Sequence, residues 1–329
     1  MKLNKFEVFI RYINKAYNDF FNPLIYEVCI DNSNKLKQYY FVFNKKELLS
    51  GGSYNFKFDD NGIPIVKGHF VDSDEKYFYN PQAIGQYALA VFHEYLKNNN
   101  KTERDVFLKL ANWFVNNSKK NNNLIYWSSN KIGKSVYSNR KANEISSMSQ
   151  SRAISVLLRA YQLTNDYKYL KNVNLAIKAY KLTKKNGGFL VRRNKNILFE
   201  EPGNPSILNH MIFTLFGLID YCRFKNYDTE YSKLLTDALE SIKNILPRYD
   251  AGWWSYYDDF YINDKRRYNV CTRHYINIHI NQLLVLAKIF DDETFYIYHK
   301  KWKEYNNNYF NRLKMLFYKM IAVKKMNRL

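Results

Sequence analysis

The sequence predicts a mainly α-helical protein: an incomplete α/α toroid of about four helix hairpins, with a small N-terminal antiparallel β region. Two observations predict this class. From Pro81 onward, apolar residues recur every three or four positions, which is the period of an amphipathic helix. The predicted helices form pairs whose first members start about 60 to 70 residues apart, a spacing that we interpret as an array of hairpins. We therefore divide the chain into residues 1–78 and residues 79–329.

The first 78 residues begin with an amphipathic helix, MKLNKFEVFIRYINKAYNDFF. Three β-prone runs follow, YEVCI, QYYFVF and SYNFKF, separated by the turn clusters DNSNK, SGGS and DDNGIP. This alternation is typical of a small antiparallel sheet. Charges interrupt the N-terminal helix every few residues, so it lacks the apolar region of a signal peptide, and we expect a cytoplasmic protein. No run of about 18 apolar residues predicts a membrane span.

Four helix pairs are predicted between residue 81 and the C-terminal region. The first is PQAIGQYALAVFHEYL with TERDVFLKLANWFV, in which Pro81 opens one helix and Thr102 caps the other. The second is SSMSQSRAISVLLRAYQL with YLKNVNLAIKAYKL, ended by Gly187 and Gly188. The third is PSILNHMIFTLFGLIDYC with TEYSKLLTDALESIKNIL, stopped by Pro247. The fourth is YINIHINQLLVLAKIF with ETFYIYHKKWKEYNNNYF.

The two helices of a pair differ in their apolar pattern. In the third pair the first helix is apolar almost all round, which is typical of a buried helix, whereas the second has one apolar stripe and is expected to face water. The stripe is Leu234, Leu235, Ala238, Leu239, Ile242, Ile245 and Leu246. We expect two short hairpins, GGFLVRRNKNILFEE and GWWSYYDDFYIN, between pairs. In a toroid the starts of the inner helices meet at one rim, where unpaired N–H groups favour an anionic ligand.

Composition limits the partners. The net charge of +21, from 51 Lys and Arg against 30 Asp and Glu, suits a polyanion such as an acidic polysaccharide. The codon bias of an AT-rich gene would also produce it, because Lys, Asn, Tyr, Ile and Phe are abundant together. Lysines are spread along the chain without an arginine-aromatic stripe, which does not favour nucleic acid. Cys29, Cys222 and Cys271 indicate a reducing compartment, and without CxxC or HExxH patterns we expect neither a metal nor another cofactor.

Several motifs follow one another in order between residues 79 and 305. They are Asn80-Pro81, Gln86-Tyr87, SMSQSRAISVLLRAYQLT, Glu200-Glu201, PSILNH, Arg248-Tyr249-Asp250, Tyr257-Asp258, Tyr275 and His279-Ile280-Asn281-Gln282-Leu283. In this order they resemble the D-glucuronyl C5-epimerase family, which inverts C5 of glucuronate in heparosan-like chains and gives iduronate. The resemblance implies that residues 79–329 form a toroidal catalytic domain.

The chemistry of that family suits these residue types. C5–H of a uronate lies α to the carboxylate, so inversion proceeds by proton removal on one face and proton return on the other. Two acid/base groups and a cation or donors at the carboxylate are needed. The resemblance implies Glu201 and Tyr275 as the opposing catalytic groups and Tyr257 as an assisting hairpin tyrosine.

The sequence departs from the family pattern at three positions. Pro202 follows Glu201 where the family has a tyrosine, Phe260 stands where the family has an arginine, and His210 replaces a glycine. We expect Arg273 to supply the missing cation and His210 to occupy the space of the missing phenol.

Each candidate also has a structural explanation. Glu200 and Glu201 would favour the dipole of the helix that follows them, and tyrosines are frequent enough, at 30 in the chain, to be packed aromatics. The substrate-binding candidates are Arg273, His279, Gln150, Asn209, Asn281 and Trp253. The structural alternative is a solvated loop position for Arg273, a satisfied core polar group for His279, a backbone cap for Asn209 and core packing for Trp253.

The sequence therefore predicts a metal-independent uronate C5-epimerase acting on an acidic polysaccharide or oligosaccharide. Two alternatives stay open. A uronate polysaccharide lyase would share the first proton removal and then eliminate the linked sugar. A non-catalytic acidic-glycan-binding protein would use the positive charge without chemistry. A homodimer is among the assemblies that the sequence allows.

Overall fold

A computed structural model describes residues 5–50, 56–67, 77–128, 143–203, 206–262 and 268–325. This part of the chain contains eleven α-helices and small antiparallel sheets, and 61% of the structure is helical. The predicted mainly α class with a small β region is confirmed, while the toroid stays a prediction. None of the helices among the described residues is long and apolar enough to cross a membrane.

Within its described residues, the N-terminal region contains two helices and five short strands. Helix α1 spans Lys5–Phe21, and strand β1 (Glu27–Val28) pairs antiparallel with β2 (Phe41–Val42). Helix α2 is Lys45–Leu49. Strands β3 (Phe56–Phe58), β4 (Pro64–Lys67) and β5 (Tyr77–Phe78) form an antiparallel sheet in that order. The predicted strands and the N-terminal helix are present, although residues 53–55 of the SYNFKF run lie outside the described residues.

The remaining helices follow the predicted pairing. Their bounds are α3 Pro81–Asn98, α4 Lys101–Asn116, α5 Ser147–Thr164, α6 Tyr167–Ala176, α7 Leu208–Phe224, α8 Ser232–Ile245, α9 Arg273–Phe290, α10 Glu293–Asn307 and α11 Tyr309–Lys325. Between them lie two hairpins, β6 (Lys119–Asn121) with β7 (Leu124–Tyr126), and β8 (Leu190–Arg193) with β9 (Asn196–Phe199). The first helices of the pairs begin at residues 81, 147, 208 and 273, which confirms the predicted spacing.

Helix ends agree with the sequence at some positions and differ at others. Asn80 caps α3 by accepting a hydrogen bond from the Gln82 N–H, with Pro81 as the first helical residue, as predicted. The prediction of Thr102 as the cap of α4 is wrong. Asn100 occupies that position and its side-chain oxygen accepts from the Thr102 N–H at 2.8 Å. Gly187, with φ of +80°, ends a short 3-10 turn that follows α6.

The two helices of the third pair differ in how much of their surface is buried, as the sequence predicts. Helix α7 is buried along nearly its whole length, whereas α8 buries one stripe and exposes Lys233 and Glu240 on the other face. Every predicted stripe residue of α8 and of the turn after it is buried except Leu234, which is half-buried. An amphipathic stripe buries one side of a helix and leaves charges in water, so the pattern of α8 accounts for its burial.

One predicted hairpin forms a regular strand pair, whereas the other makes only isolated antiparallel bridges. Strands β8 and β9 pair from Leu190↔Phe199 to Arg193↔Asn196. In GWWSYYDDFYIN, the described residues 252–262 contain no strand pair. Instead Tyr256 bridges to Val270 and the Tyr257 N–H donates to the Asn269 carbonyl at 2.7 Å. The segment also pairs with residues before it, since Ser255 bridges antiparallel to Asp250 and the Tyr256 N–H donates to the Tyr249 carbonyl at 2.8 Å. Its backbone therefore pairs on both sides through single bridges.

The chain divides into two compact units. The first contains Met1–Tyr26, Ser206–Asn209 and Lys243–Leu329, and the second contains Glu27–Pro205 and His210–Ile242. The proposed boundary between residues 78 and 79 stays a prediction.

Two features fix the core of the second unit. Gly217 of α7 approaches α5 so closely that a Cβ there would lie 2.6 Å from the Ser151 Cα, and the Ser151 hydroxyl accepts from the Gly217 N–H at 2.9 Å. Nearby, Asp220 is buried but pairs with Arg159 at 2.7 Å and accepts from the Tyr40 hydroxyl at 2.7 Å. Because both charges are paired and hydrogen-bonded, their burial is tolerated.

Candidate active site

Glu201, the proposed catalytic carboxylate, follows β9 in the second unit and contacts the start of α5. The residue is 4% exposed, and its Oε2 accepts from the Ser147 hydroxyl at 2.9 Å and from the Met148 N–H at 3.1 Å. The first N–H groups of a helix have no partner within the helix, and a carboxylate there is also favoured by the helix dipole. These contacts are those of a helix cap, which is the structural alternative to catalysis. The capped helix is α5, and not the helix that follows Glu201 in sequence.

Glu200 has a different environment from its neighbour. It is 1% exposed, with Oε2 at 2.7 Å from the Lys184 ammonium and Oε1 at 2.5 Å from the Arg193 guanidinium. Its backbone N–H donates to the Phe189 carbonyl, which continues the β8–β9 pairing. Adjacent residues of an extended segment send their side chains to opposite sides, so the two glutamates have separate partners. The contacts of Glu200 support a structural role.

His210 is the titratable neighbour of Glu201. Burial lowers its pKa to about 4, against the opposing effect of the Glu201 charge, so the imidazole is neutral near pH 7. Within the described residues, its buried Nδ1 has no hydrogen-bond partner. Thr214, one turn later, lies 2.9 Å from the His210 carbonyl and 3.0 Å from the Ser147 hydroxyl. His210, Thr214, Ser147 and Glu201 thus form one polar cluster.

The first unit brings the two predicted tyrosines together. The rings of Tyr257 and Tyr275 lie 4.7 Å apart between centroids, at 64° to each other, and both residues are half-buried. Burial raises the pKa of Tyr275, while a side-chain hydrogen bond with Tyr257 lowers it. The segment before α9 holds Tyr257 in place, because its N–H donates to the Asn269 carbonyl.

A lysine that the sequence analysis missed lies beside this tyrosine pair. Lys319 of α11 donates to the Asn269 side-chain oxygen at 2.8 Å and to the Val270 carbonyl at 3.0 Å. Its ammonium is 5.8 Å from the centroid of the Tyr257 ring. The neighbouring Asp258 accepts from the Asn269 amide at 2.6 Å, which orients that amide toward both charged groups. No motif surrounds Lys319 in the sequence, so no local signal identified it.

Arg273, the predicted carboxylate partner, is engaged by other parts of the first unit. Its guanidinium donates to the Phe20 carbonyl and, at 3.4 Å, to the Asn306 side-chain oxygen. Asp19 caps α9 by accepting from the N–H groups of Arg273 at 2.7 Å and His274 at 2.9 Å. Burial and the Arg312 charge lower the pKa of Arg273. These contacts attach α1 and α10 to the start of α9. They also differ from the structural alternative given for Arg273, which is an arginine in a solvated loop.

Two substrate-binding candidates lie in the cores of their units. Gln150 is fully buried and its amide nitrogen donates to the carbonyls of Ile125 at 2.9 Å and Ala176 at 2.8 Å. His279 is also fully buried, with its Nδ1 at 3.3 Å from the Ser255 hydroxyl and its ring beside Trp302. These are contacts of core residues, and substrate contact by either side chain stays a prediction.

The other candidates are less enclosed or less fully paired. Asn209 is 3% exposed, and among the described residues its Oδ1 has no hydrogen-bond partner. Asn281 is half-buried and donates to the Tyr26 carbonyl at 2.6 Å. Trp253 is half-buried against Tyr318, and the Lys314 ammonium lies 4.2 Å from its ring centroid. Phe260, at the position of the family's arginine, begins a 3-10 turn.

Among the described residues, no three His, Cys, Asp or Glu side chains form a group that could hold a metal ion. The two sets of candidates present carboxylate, imidazole, phenol and ammonium groups.

Comparison with known proteins identifies the family. The family model described as D-glucuronyl C5-epimerase C-terminus matches residues 120–304. This protein belongs to that family. The family match includes Glu201, Tyr257 and Tyr275, whereas Lys319 lies beyond its end.

Two relatives are similar to this chain, and the second of them carries the same family name. The chain is 30% identical over 250 residues to an uncharacterised protein of Methanocaldococcus jannaschii, covering 69% of this chain and 78% of that protein. It is 32% identical over 163 residues to a D-glucuronyl C5-epimerase of Caenorhabditis elegans, covering 45% of this chain. The aligned part spans 26% of the Caenorhabditis elegans epimerase, so it corresponds to one portion of that longer protein.

Proposed function

We propose that this protein is a uronate C5-epimerase that acts on an acidic, heparosan-like polysaccharide and forms iduronate from glucuronate. The observation that carries the proposal is the Tyr257–Tyr275 pair, because two phenols predicted from separate motifs contact each other in a member of the epimerase family. The net charge of +21 suits a polyanionic substrate.

The proposed reaction needs no redox partner. A base takes the C5 proton, and the electron pair left behind delocalises into the adjacent carboxylate. An acid on the opposite face then returns a proton to C5, which inverts the configuration without breaking the chain. We propose Glu201 and Tyr275 as these two groups, with Tyr257 holding the Tyr275 hydroxyl through their hydrogen bond.

Negative charge grows on the substrate carboxylate in this reaction, so a cation beside it lowers the barrier. Arg273 is the cation expected from sequence, but its guanidinium already binds Phe20 and Asn306. Lys319 lies closer to the tyrosine pair, because its ammonium, which donates to the Asn269 side chain and the Val270 carbonyl, is 5.8 Å from the centroid of the Tyr257 ring. We propose Lys319 as the carboxylate-binding cation on the tyrosine side.

The deciding experiment measures proton exchange at C5. The full chain is incubated with heparosan and with other uronate polymers in deuterated water, and deuterium at C5 is measured by NMR or mass spectrometry. Epimerisation predicts deuterium at C5 in an intact polymer. Chain cleavage with an unsaturated uronate product would instead identify a lyase. Absence of exchange with every uronate polymer, from folded protein, would overturn the proposal.

A non-catalytic acidic-glycan-binding protein is the second candidate. The contacts of Glu201 with α5 favour it, because they give this carboxylate a structural role that requires no chemistry. This candidate predicts salt-sensitive polymer binding without exchange or cleavage.

A further inference from the structure

The second unit has an open groove that involves none of the candidate catalytic residues. It lies between the turn at residues 59–63, Tyr79 and helix α4, and its volume is about 570 Å³. This volume falls in the range of small-molecule sites, roughly 300–1,000 Å³. The groove is long enough along α4 to involve side chains from Asp105 to Asn117.

Two aromatic side chains form one wall of the groove. Tyr79 is 45% exposed, and its ring lies 5.9 Å from that of Trp113, at 38°. The exposed Tyr79 ring beside the half-buried Trp113 ring offers an apolar surface with polar edges. The C–H face of a pyranose ring packs on such a surface while its hydroxyls remain at the edge.

Hydrogen bonds hold Tyr79 in its position before any ligand binds. Its hydroxyl donates to Asp59 at 2.6 Å, and the other Asp59 oxygen accepts from the N–H groups of Asn61 and Ile63. Lys109 of α4 donates to the Asn61 carbonyl and so attaches the turn to the helix. A side chain already fixed in the free protein loses little entropy on binding.

The polar lining of the groove is rich in amides. Asn61, Asn112, Asn116 and Asn117 line it, and the Asn112 oxygen accepts from the Tyr169 hydroxyl at 3.0 Å, which sets the orientation of that amide. Carboxamides both donate and accept, as hydroxyl groups do. The charged lining residues are Asp59, Asp105 and Lys109, so the groove carries one net negative charge in a chain of net charge +21.

We propose that this groove is a binding site for a neutral saccharide. Aromatic rings for the pyranose faces and amides for the hydroxyls define the ligand class, and the excess of carboxylates disfavours a uronate here. The site is separate in chemistry from the proposed uronate reaction, and it would hold a neutral sugar unit or a neutral glycan independently of C5 exchange.

Calorimetric titration of the full chain with cellotriose and with N-acetylated chitotriose tests this proposal. The expected result is binding of at least one of these neutral trisaccharides, weakened about tenfold or more in Tyr79→Ala, the scale of losing an aromatic anchor. Tyr79→Phe keeps the ring but loses the bond to Asp59, so its affinity should fall between the two. Asn116→Ala, at an exposed position of α4, should also weaken binding without risk to the core.

Tyr167→Ala is the matched control, because Tyr167 is 63% exposed in the same unit and does not line the groove. It should bind like the wild type. Failure of both trisaccharides to bind the wild type would overturn the proposal. Binding that survives Tyr79→Ala and Asn116→Ala equally would overturn it as well, because the sugar would then occupy another place. The titration uses no uronate, so its outcome is independent of the proposed epimerase activity.

Discussion

The Glu201 carboxylate accepts a hydrogen bond from the Ser147 hydroxyl at 2.9 Å, at the first residue of α5. The Met148 N–H donates to the same oxygen at 3.1 Å. A carboxylate in this position stabilises the helix N-terminus, and it can still take a proton if substrate reaches it. The two roles predict different consequences of one substitution.

Glu201→Gln keeps the shape and a hydrogen-bond acceptor but removes the negative charge. If Glu201 transfers the proton, C5 exchange should fall about 100-fold or more, the scale of a lost acid/base group. Loss of the charge at the helix dipole should reduce the free energy of unfolding by about 0.3–1 kcal/mol. Exchange kinetics and denaturant unfolding on the same preparation measure both effects.

Glu200→Gln is the control for that substitution. Glu200 is equally buried but contacts Lys184 and Arg193, so its loss should lower stability and leave exchange within a few-fold of the wild type. If Glu201→Gln lowers stability and retains full exchange, Glu201 is a structural cap and another base must be sought.

Local patterns in the sequence predict the helices and strands, but they do not predict which residues contact the candidate site residues. Helix α7 could be recognised as buried because its residues are apolar all round, and β8–β9 because turn residues separate two β-prone runs. The sequence predicts a catalytic role for Glu201, with the dipole of the following helix as the structural alternative, whereas the carboxylate contacts α5 through a serine 54 positions earlier in the chain. A tertiary contact of this kind has no local signal.

Arg273 illustrates the same limit. Its place beside Tyr275 predicts a substrate cation, whereas the guanidinium binds the Phe20 carbonyl, 253 positions away. Lys319 shows the converse, since it lies in a helix with no recognisable motif and reaches the tyrosine pair through Asn269. The sequence could predict a residue near Tyr257 only where that residue belongs to a recognisable motif.

Tyr275→Phe and Tyr257→Phe should separate the roles of the two phenols. Tyr275→Phe removes the proposed proton-transfer hydroxyl and should reduce C5 exchange about 100-fold or more. Tyr257→Phe removes its hydrogen-bond partner and should cause a smaller loss. Exchange rates are measured against pH, because loss of the Tyr257 hydrogen bond removes the effect that lowers the pKa of Tyr275. The alkaline limb of the Tyr257→Phe profile should therefore move to higher pH.

Tyr256→Phe serves as the control for the tyrosine variants. Tyr256 is half-buried, adjacent in sequence, and packs its ring against Tyr268 at 5.8 Å. It should retain wild-type exchange. Equal activity in all three variants would exclude the tyrosine pair from the reaction.

Lys319→Met should weaken stabilisation of the substrate carboxylate. Methionine preserves much of the apolar stem and removes the ammonium, so we expect kcat/KM for C5 exchange to fall about tenfold or more, with the larger effect on kcat. Lys300→Met removes one positive charge from an exposed position of α10 in the same unit and should alter exchange little. A similar loss in both variants would indicate a general charge effect and would contradict a specific role for Lys319.

His210 should make stability depend on pH in the mildly acidic range. Its pKa is lowered by burial to about 4 from an ordinary value of 6.5, so between these values the unfolded chain binds a proton that the folded protein does not. The stabilisation is therefore complete above pH 6.5 and is lost as the pH falls toward 4.

His210→Gln keeps a polar side chain that does not titrate, and its free energy of unfolding should change less over this range than that of the wild type. His299→Gln is the matched variant, because burial also lowers the pKa of His299. If the curves of His210→Gln and the wild type run parallel between pH 4 and 6.5, the pKa of His210 is the same in the folded and unfolded protein, and a pKa lowered by burial is ruled out.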